Sequence, residues 1–130
     1  MKVFVVMSHE LLTEQMTELK NQLNCHEIIY LPEQLKDIWA NIPPSGPWND
    51  KWLADIISWL KSNMNREDIA IVQGEYGATV YLVNWLQKNG HAVYYATTER
   101  QVVETKTDEG SIINKRVFKH VNFRKYPLIK

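Results

Sequence analysis

Ile69-Ala70-Ile71-Val72-Gln73-Gly74-Glu75-Tyr76-Gly77-Ala78-Thr79 is the stretch that decides the fold. A short apolar run bounded by a polar glycine turn reads as a buried strand. An apolar helical pattern begins at once after the turn. In open α/β sheets such a strand–turn–helix corner is where ligands bind, because the turn lies outside the carboxyl end of the strand. The helix starting near Gly77 aims its free N–H groups at that space, which favours an anion.

Other strands and helices extend outward from this corner. Residues 2–7 are apolar and read as strand one. Thr13 to Asn24 has helical spacing, with Met16, Leu19 and Leu23 on one face and Thr13 as a cap. His26 to Leu31 is strand two, and Pro32 suits the first turn of a short helix over Glu33 to Ala40. Pro43-Pro44-Ser45-Gly46-Pro47 is a loop, with flanks too short to stand as domains. Asn49 or Asp50 caps the next helix, where Trp52, Ile56, Trp59 and Leu60 form one stripe. Tryptophans in such a stripe are core residues before they are cofactor platforms.

Asp68 to Gln73 is strand three. The helix from Gly77 to Lys88 is apolar around most of its circumference and is expected to be buried on more than one side. Asn89-Gly90 closes it. His91 to Thr97 is strand four. Gln101 to Thr107 and Ile112 to Phe123 form a hairpin around Asp108-Glu109-Gly110-Ser111. Alternating strands and helices imply a Rossmann-like α/β fold with a mostly parallel sheet, flanking helices and a C-terminal antiparallel hairpin. One domain over residues 1–130 is expected.

Composition narrows the class. No run of about 18 apolar residues exists, so no membrane span is expected. The start of the chain lacks the pattern of a secretory signal, and Cys25 is the only cysteine, so a cytoplasmic protein is expected. Formal net charge is zero, unevenly spread. The last twenty residues carry Lys115, Arg116, Lys119, Arg124, Lys125 and Lys130 with no acid. Such a block fits a phosphate-bearing partner, or equally a lysine-protected edge strand.

The chemistry is narrowed by what is missing. Gly74-Glu75-Tyr76-Gly77 is neither a dinucleotide fingerprint nor a phosphate loop. Its glycines permit close approach of a ligand, or simply a tight turn. No two histidines have metal-ligand spacing, and no acid cluster suits Mg²⁺, so neither metal nor cofactor is expected. His26 and His91 open strands and belong at the far end of the sheet. Ser8 and His9 follow strand one, and Thr97 and Thr98 follow strand four. They share one rim with Gln73, Gly74, Glu75, Tyr76, Gly77, Ala78 and Thr79. Hydroxyls, an imidazole and amides suit ribose and phosphate oxygens. Metal-free cleavage of RNA then has one route, attack by the 2′-OH on the adjacent phosphorus. A histidine serves as base or acid, while Arg124 or Lys125 neutralises phosphate.

The segments Phe4-Val5-Val6-Met7-Ser8-His9, Tyr30-Leu31-Pro32-Glu33-Gln34-Leu35, Trp39-Ala40-Asn41-Ile42-Pro43-Pro44, Val72 to Thr79, Tyr95-Ala96-Thr97-Thr98 and Phe118 to Tyr126 together resemble the small stand-alone Csx-type proteins of CRISPR loci. The resemblance runs from the first strand to the last. It implies the CRISPR-associated Rossmann (CARF-like) fold and a ring nuclease of type III antiviral signalling. Such an enzyme binds cyclic oligoadenylate, with cyclic tetra-adenylate as the expected ring, across the axis of a homodimer and cuts the ring. On this reading His9, Glu75 and Arg124 are the catalytic candidates. Ser8, His9, Gln73 to Thr79, Thr97, Thr98 and Lys125 bind the ligand, and no long nucleic acid is involved. Two alternatives stand beside it. One is a sensor or sponge that holds the ring uncut. The other is a nucleoside or NAD glycosidase in which Glu75 stabilises an oxocarbenium ion.

Overall fold

A computed structural model describes residues 1–129, so Lys130 of the basic tail lies outside the described residues. The elements in chain order are β1 (Lys2–Val6), α1 (Thr13–Asn21), β2 (Glu27–Tyr30), α2 (Glu33–Ala40), a 3₁₀ turn (Asp50–Leu53), α3 (Ala54–Asn63), β3 (Ile69–Val72), α4 (Tyr76–Lys88), β4 (Val93–Lys106) and β5 (Ile112–Lys125). The five strands form one sheet in the order β2-β1-β3-β4-β5. All neighbours are parallel except the β4–β5 hairpin. The expected fold class is therefore found.

The apolar alternation of the strands divides the core in two. Phe4, Val6, Ala70, Val72 and Val93 face one side, where α2, α3 and α4 pack through Trp39, Ile56, Leu60, Leu82 and Leu86. Val3, Val5, Ile69, Ile71 and Phe123 face the other, covered by α1 through Leu19. The central strand β3 is buried at every residue, as a strand covered on both faces must be.

Several local readings change. Thr13 is the first residue of α1 rather than its cap. Gln15 instead folds back, its Oε1 accepting the Leu12 N–H at 2.8 Å. Gln15 is thus buried beside Leu19, while Met16 is exposed. The helix stops at Asn21, and Asn24 turns the chain with a left-handed φ of 57°. Asn49 is the cap, accepting the Lys51 N–H at 3.0 Å. The expected break between strand four and the hairpin is absent, and β4 runs unbroken from Val93 to Lys106. Its middle is polar because β4 there has left β3 behind: β3 pairs only as far as Ile71 with Tyr94. Beyond Thr98 the β4–β5 ribbon projects alone past the sheet. Helix α4 is buried along one side only, with Val80 70% exposed on the other.

Two polar contacts hold the sheet to its surroundings. Buried Asp68 accepts the Lys2 N–H at 3.0 Å and the Asn65 N–H at 2.8 Å, tying β1 to the loop before β3. Glu18 of α1 accepts the Phe123 N–H at 2.6 Å and meets His120 Nε2 at 2.7 Å, anchoring α1 to the edge strand. This second contact sits where the β4–β5 register slips between Thr97 and Thr98. Thr97 pairs with Asn122 and Thr98 with His120, so Val121 is the extra residue of a bulge.

Removing the Asp68 carboxylate leaves two part-buried N–H groups without their acceptor. Asp68→Ala is expected to cost about 3 kcal/mol. A urea titration should show the midpoint falling with its slope kept, and an unmoved midpoint refutes the account.

Candidate active site

The strand order reverses beside β1. The chain goes from β1 to β2 on one side and returns to β3 on the other. The connection after β1 leads to α1 on one face, and the connection after β3 leads to α4 on the opposite face. The two loops therefore part at the carboxyl end of the sheet, Ser8-His9 leading to one face and Gln73 to Glu75 to the other, which is the switch point where open α/β sheets place a ligand crevice.

Gln73 fixes the floor of this crevice. Its N–H donates to Val6 O at 3.1 Å, which continues the β1–β3 ladder. Its carbonyl accepts from Trp39 Nε1 at 2.9 Å. Its side-chain Oε1 accepts the Ala96 N–H at 2.8 Å, just where β4 leaves β3. Gln73 is thereby committed to structure at its N–H, C=O and Oε1.

Gly74 is explained by an indole ring, because a Cβ there would stand 2.5 Å from Trp39 Nε1. A Cβ on Gly77 would stand 3.2 Å from Glu75 Oε1 and 3.3 Å from Trp48 Cε3, a tight contact. Gly74 thus admits the protein's own Trp39 to the turn. Glu75 is the N-cap of α4, its Oε1 accepting the Ala78 N–H at 2.9 Å. A carboxylate of the chain itself occupies part of the helix end at which the sequence suggests an external anion. The N–H groups of Tyr76 and Gly77, which precede the first possible intrahelical acceptor, remain directed at the rim.

The remaining candidates spread along the same edge. Ser8 and His9 are exposed. Tyr76 is 91% exposed. Ala78 is buried in the core. Thr79 lies one turn into α4, its Oγ1 buried without a hydrogen-bond partner among the described residues. Thr97 Oγ1 donates to Asn122, 2.6 Å from its Oδ1, and Thr98 is exposed beside the bulge. Arg124 and Lys125 stand opposite Tyr95 and Tyr94 on β5. As successive strand residues they point to opposite faces of the sheet. Arg124 lies over the Tyr95 ring at 5.9 Å, on the α4 side. Lys125 lies over Tyr94 at 5.9 Å, on the α1 side. The rim thus gathers Ser8, His9, Glu75, Tyr76 and Thr97, but the two cations do not converge on one point.

Sequence reasoning missed three contributors. Tyr126 donates its hydroxyl to Val72 O at 2.7 Å beneath the rim, and burial pushes that hydroxyl's pKa up, with neighbouring Tyr95 adding to the effect. Trp39 seals the turn after β3 from below. His120 lies under the bulge with Glu18 and Gln15. Each is set by contacts between distant parts of the chain, and no local pattern marks them.

Residues 1–124 match the model of the Uncharacterized protein MJ1673 family. The Uncharacterized protein MJ1673 of Methanocaldococcus jannaschii is 37% identical over 125 residues, covering 96% of each chain. No solved structure matches the chain. The chain therefore belongs to the MJ1673 family.

The Gly74 contact is directly testable. Gly74→Ala should destabilise the protein by about 1–3 kcal/mol through overpacking against Trp39. In a Trp39→Leu background the same change should cost measurably less, read by thermal unfolding of the four proteins of the cycle. Equal costs in both backgrounds would exclude the indole as the reason for glycine.

Proposed function

We propose that the crevice binds cyclic oligoadenylate and that the protein is a metal-independent ring nuclease, acting as a homodimer to switch off type III CRISPR signalling. The observation that supports this most is the switch point of the sheet, where the loop carrying Ser8 and His9 and the turn that opens α4 leave the same carboxyl edge. Backbone N–H groups there are suited to phosphate oxygens. The breadth of the rim favours a ligand of several nucleotides. From β1 across β3 and β4 to β5 are three strand spacings, about 14 Å in all. Spaced in this way, His9 and Arg124 suit separate phosphates of an oligonucleotide ring.

The reaction needs little machinery. The ribose 2′-OH attacks the adjacent phosphorus, and the 5′-oxygen leaves, giving a 2′,3′-cyclic phosphate end. His9 takes the proton or returns it to the leaving oxygen. The free amides of α4 offset the charge that builds on the phosphorane, while Arg124 holds a different phosphate of the ring. Exposed Tyr76 offers a face on which adenine can stack.

A second reading has an observation of its own. His9 makes no side-chain hydrogen bond among the described residues, so nothing orients it as a base. That favours a protein that holds the ring without cutting it. A glycosidase reading asks more of Glu75, whose carboxylate is already engaged by the Ala78 N–H.

Purified protein incubated with radiolabelled cyclic tetra-adenylate in EDTA decides among them. Linear di-adenylate with a cyclic phosphate end is the expected product. His9→Ala should slow its formation about 10²–10⁴-fold while changing affinity little. Intact ring bound tightly would establish the non-cleaving reading, and release of free adenine the glycosidase.

A further inference from the structure

Among the described residues, the β4–β5 ribbon beyond Thr98 makes hydrogen bonds only within itself. Residues Glu99–Lys106 and Ile112–Lys119 pair with each other and project about 27 Å past the sheet. A two-stranded ribbon alone in water is at best marginally stable. Yet this one displays Val102, Val103, Ile112, Ile113 and Phe118 to solvent. The chain also leaves a second apolar surface uncovered. A groove of about 940 Å³ runs along α4 between Tyr76 and Lys88, walled by Trp48, Val80, Leu128 and Ile129.

We propose that the two surfaces cover each other between two copies of this chain, the ribbon of each lying in the α4 groove of its partner. Dimensions agree. Helix α4 has 13 residues and is about 20 Å long, so the ribbon spans it end to end. Charge agrees as well. The ribbon tip carries Asp108 and Glu109, and a ribbon whose outer ~20 Å lies along α4 from Tyr76 brings that tip to Lys88 at the far end.

The strand alternation selects the face that docks. One face carries Arg100, Lys106 and Arg116 beside Val102, Ile112 and Phe118. The other carries Val103, Ile113 and Val117 with fewer cations, and it suits the apolar groove. Over the ~20 Å of the helix each ribbon face covers roughly 200 Å², so reciprocal exchange buries about 800 Å² in all, the size of a weak, reversible contact. The arrangement is isologous and closes on itself, so it stops at a dimer. The inference rests on the proposed function only for the expectation of two subunits, and it needs no ligand.

Sedimentation equilibrium of the full chain without ligand tests it. At about 100 µM the protein should have twice the chain mass. Val80→Asp and Val103→Asp should each weaken the dimer at least tenfold, and Val102→Asp on the other face should not. Lys88→Glu should weaken it, and joining that change to Asp108→Lys and Glu109→Lys should restore it. The charge pair keeps the test decisive if an aspartate variant fails to fold. A monomer at that concentration, or a dimer indifferent to Val80→Asp, Val103→Asp and Lys88→Glu, overturns the proposal. Ring cleavage is read separately by product analysis, so its failure and the failure of this dimer are distinguishable.

Discussion

The rim is organised by the hydrogen bonds of Gln73. Through its N–H, C=O and Oε1 this residue connects β1, α2 and β4 at the point where β3 ends. Each group is partly removed from water, so leaving any one unpaired would carry a desolvation cost. The three bonds also fix geometry. They hold Trp39 beneath the turn, and Trp39 in turn requires that residue 74 have no side chain. The start of α4 is thereby set relative to the loop after β1. Whatever the crevice binds, its width is determined at this residue.

The parallel core was legible because its signal is local. Val3 to Val6 and Ile69 to Val72 are continuous apolar runs, as strands buried on both faces must be. The hairpin was legible from Gly110, which takes a φ of 83° in the turn. The unbroken length of β4 was not. Thr97 to Gln101 are polar because β4 lies there beyond the parallel sheet, and polarity reads as a loop when strand exposure is unknown. The apolar stripe of α1 was misjudged for a similar reason. Gln15 is buried because His120, 105 residues away, gives its amide a partner.

The site was half legible. The order of strands and helices placed Ser8, His9, Gln73 to Thr79 and Thr97 along one edge, and that follows from topology alone. How the side chains are employed there does not follow. Glu75 caps its own helix, Gln73 braces β4, and Gly74 admits an indole. These are contacts between elements, invisible to spacing. Arg124 and Lys125 show the limit most plainly. Adjacency in sequence suggests joint action, whereas a pleated strand sends neighbours to opposite sides.

The surplus residue Val121 carries a consequence for how this family can change. A bulge bends a strand and tightens its twist, and here the strand pairs beyond the extra residue, from Thr98 with His120 onward, keep an unbroken order. The projecting ribbon is therefore aimed by chain length, whereas its stickiness is set by side-chain identity. Loss of that single residue would straighten the limb while preserving its chemistry. Reach and grip can thus drift independently across descendants of one ancestral sheet.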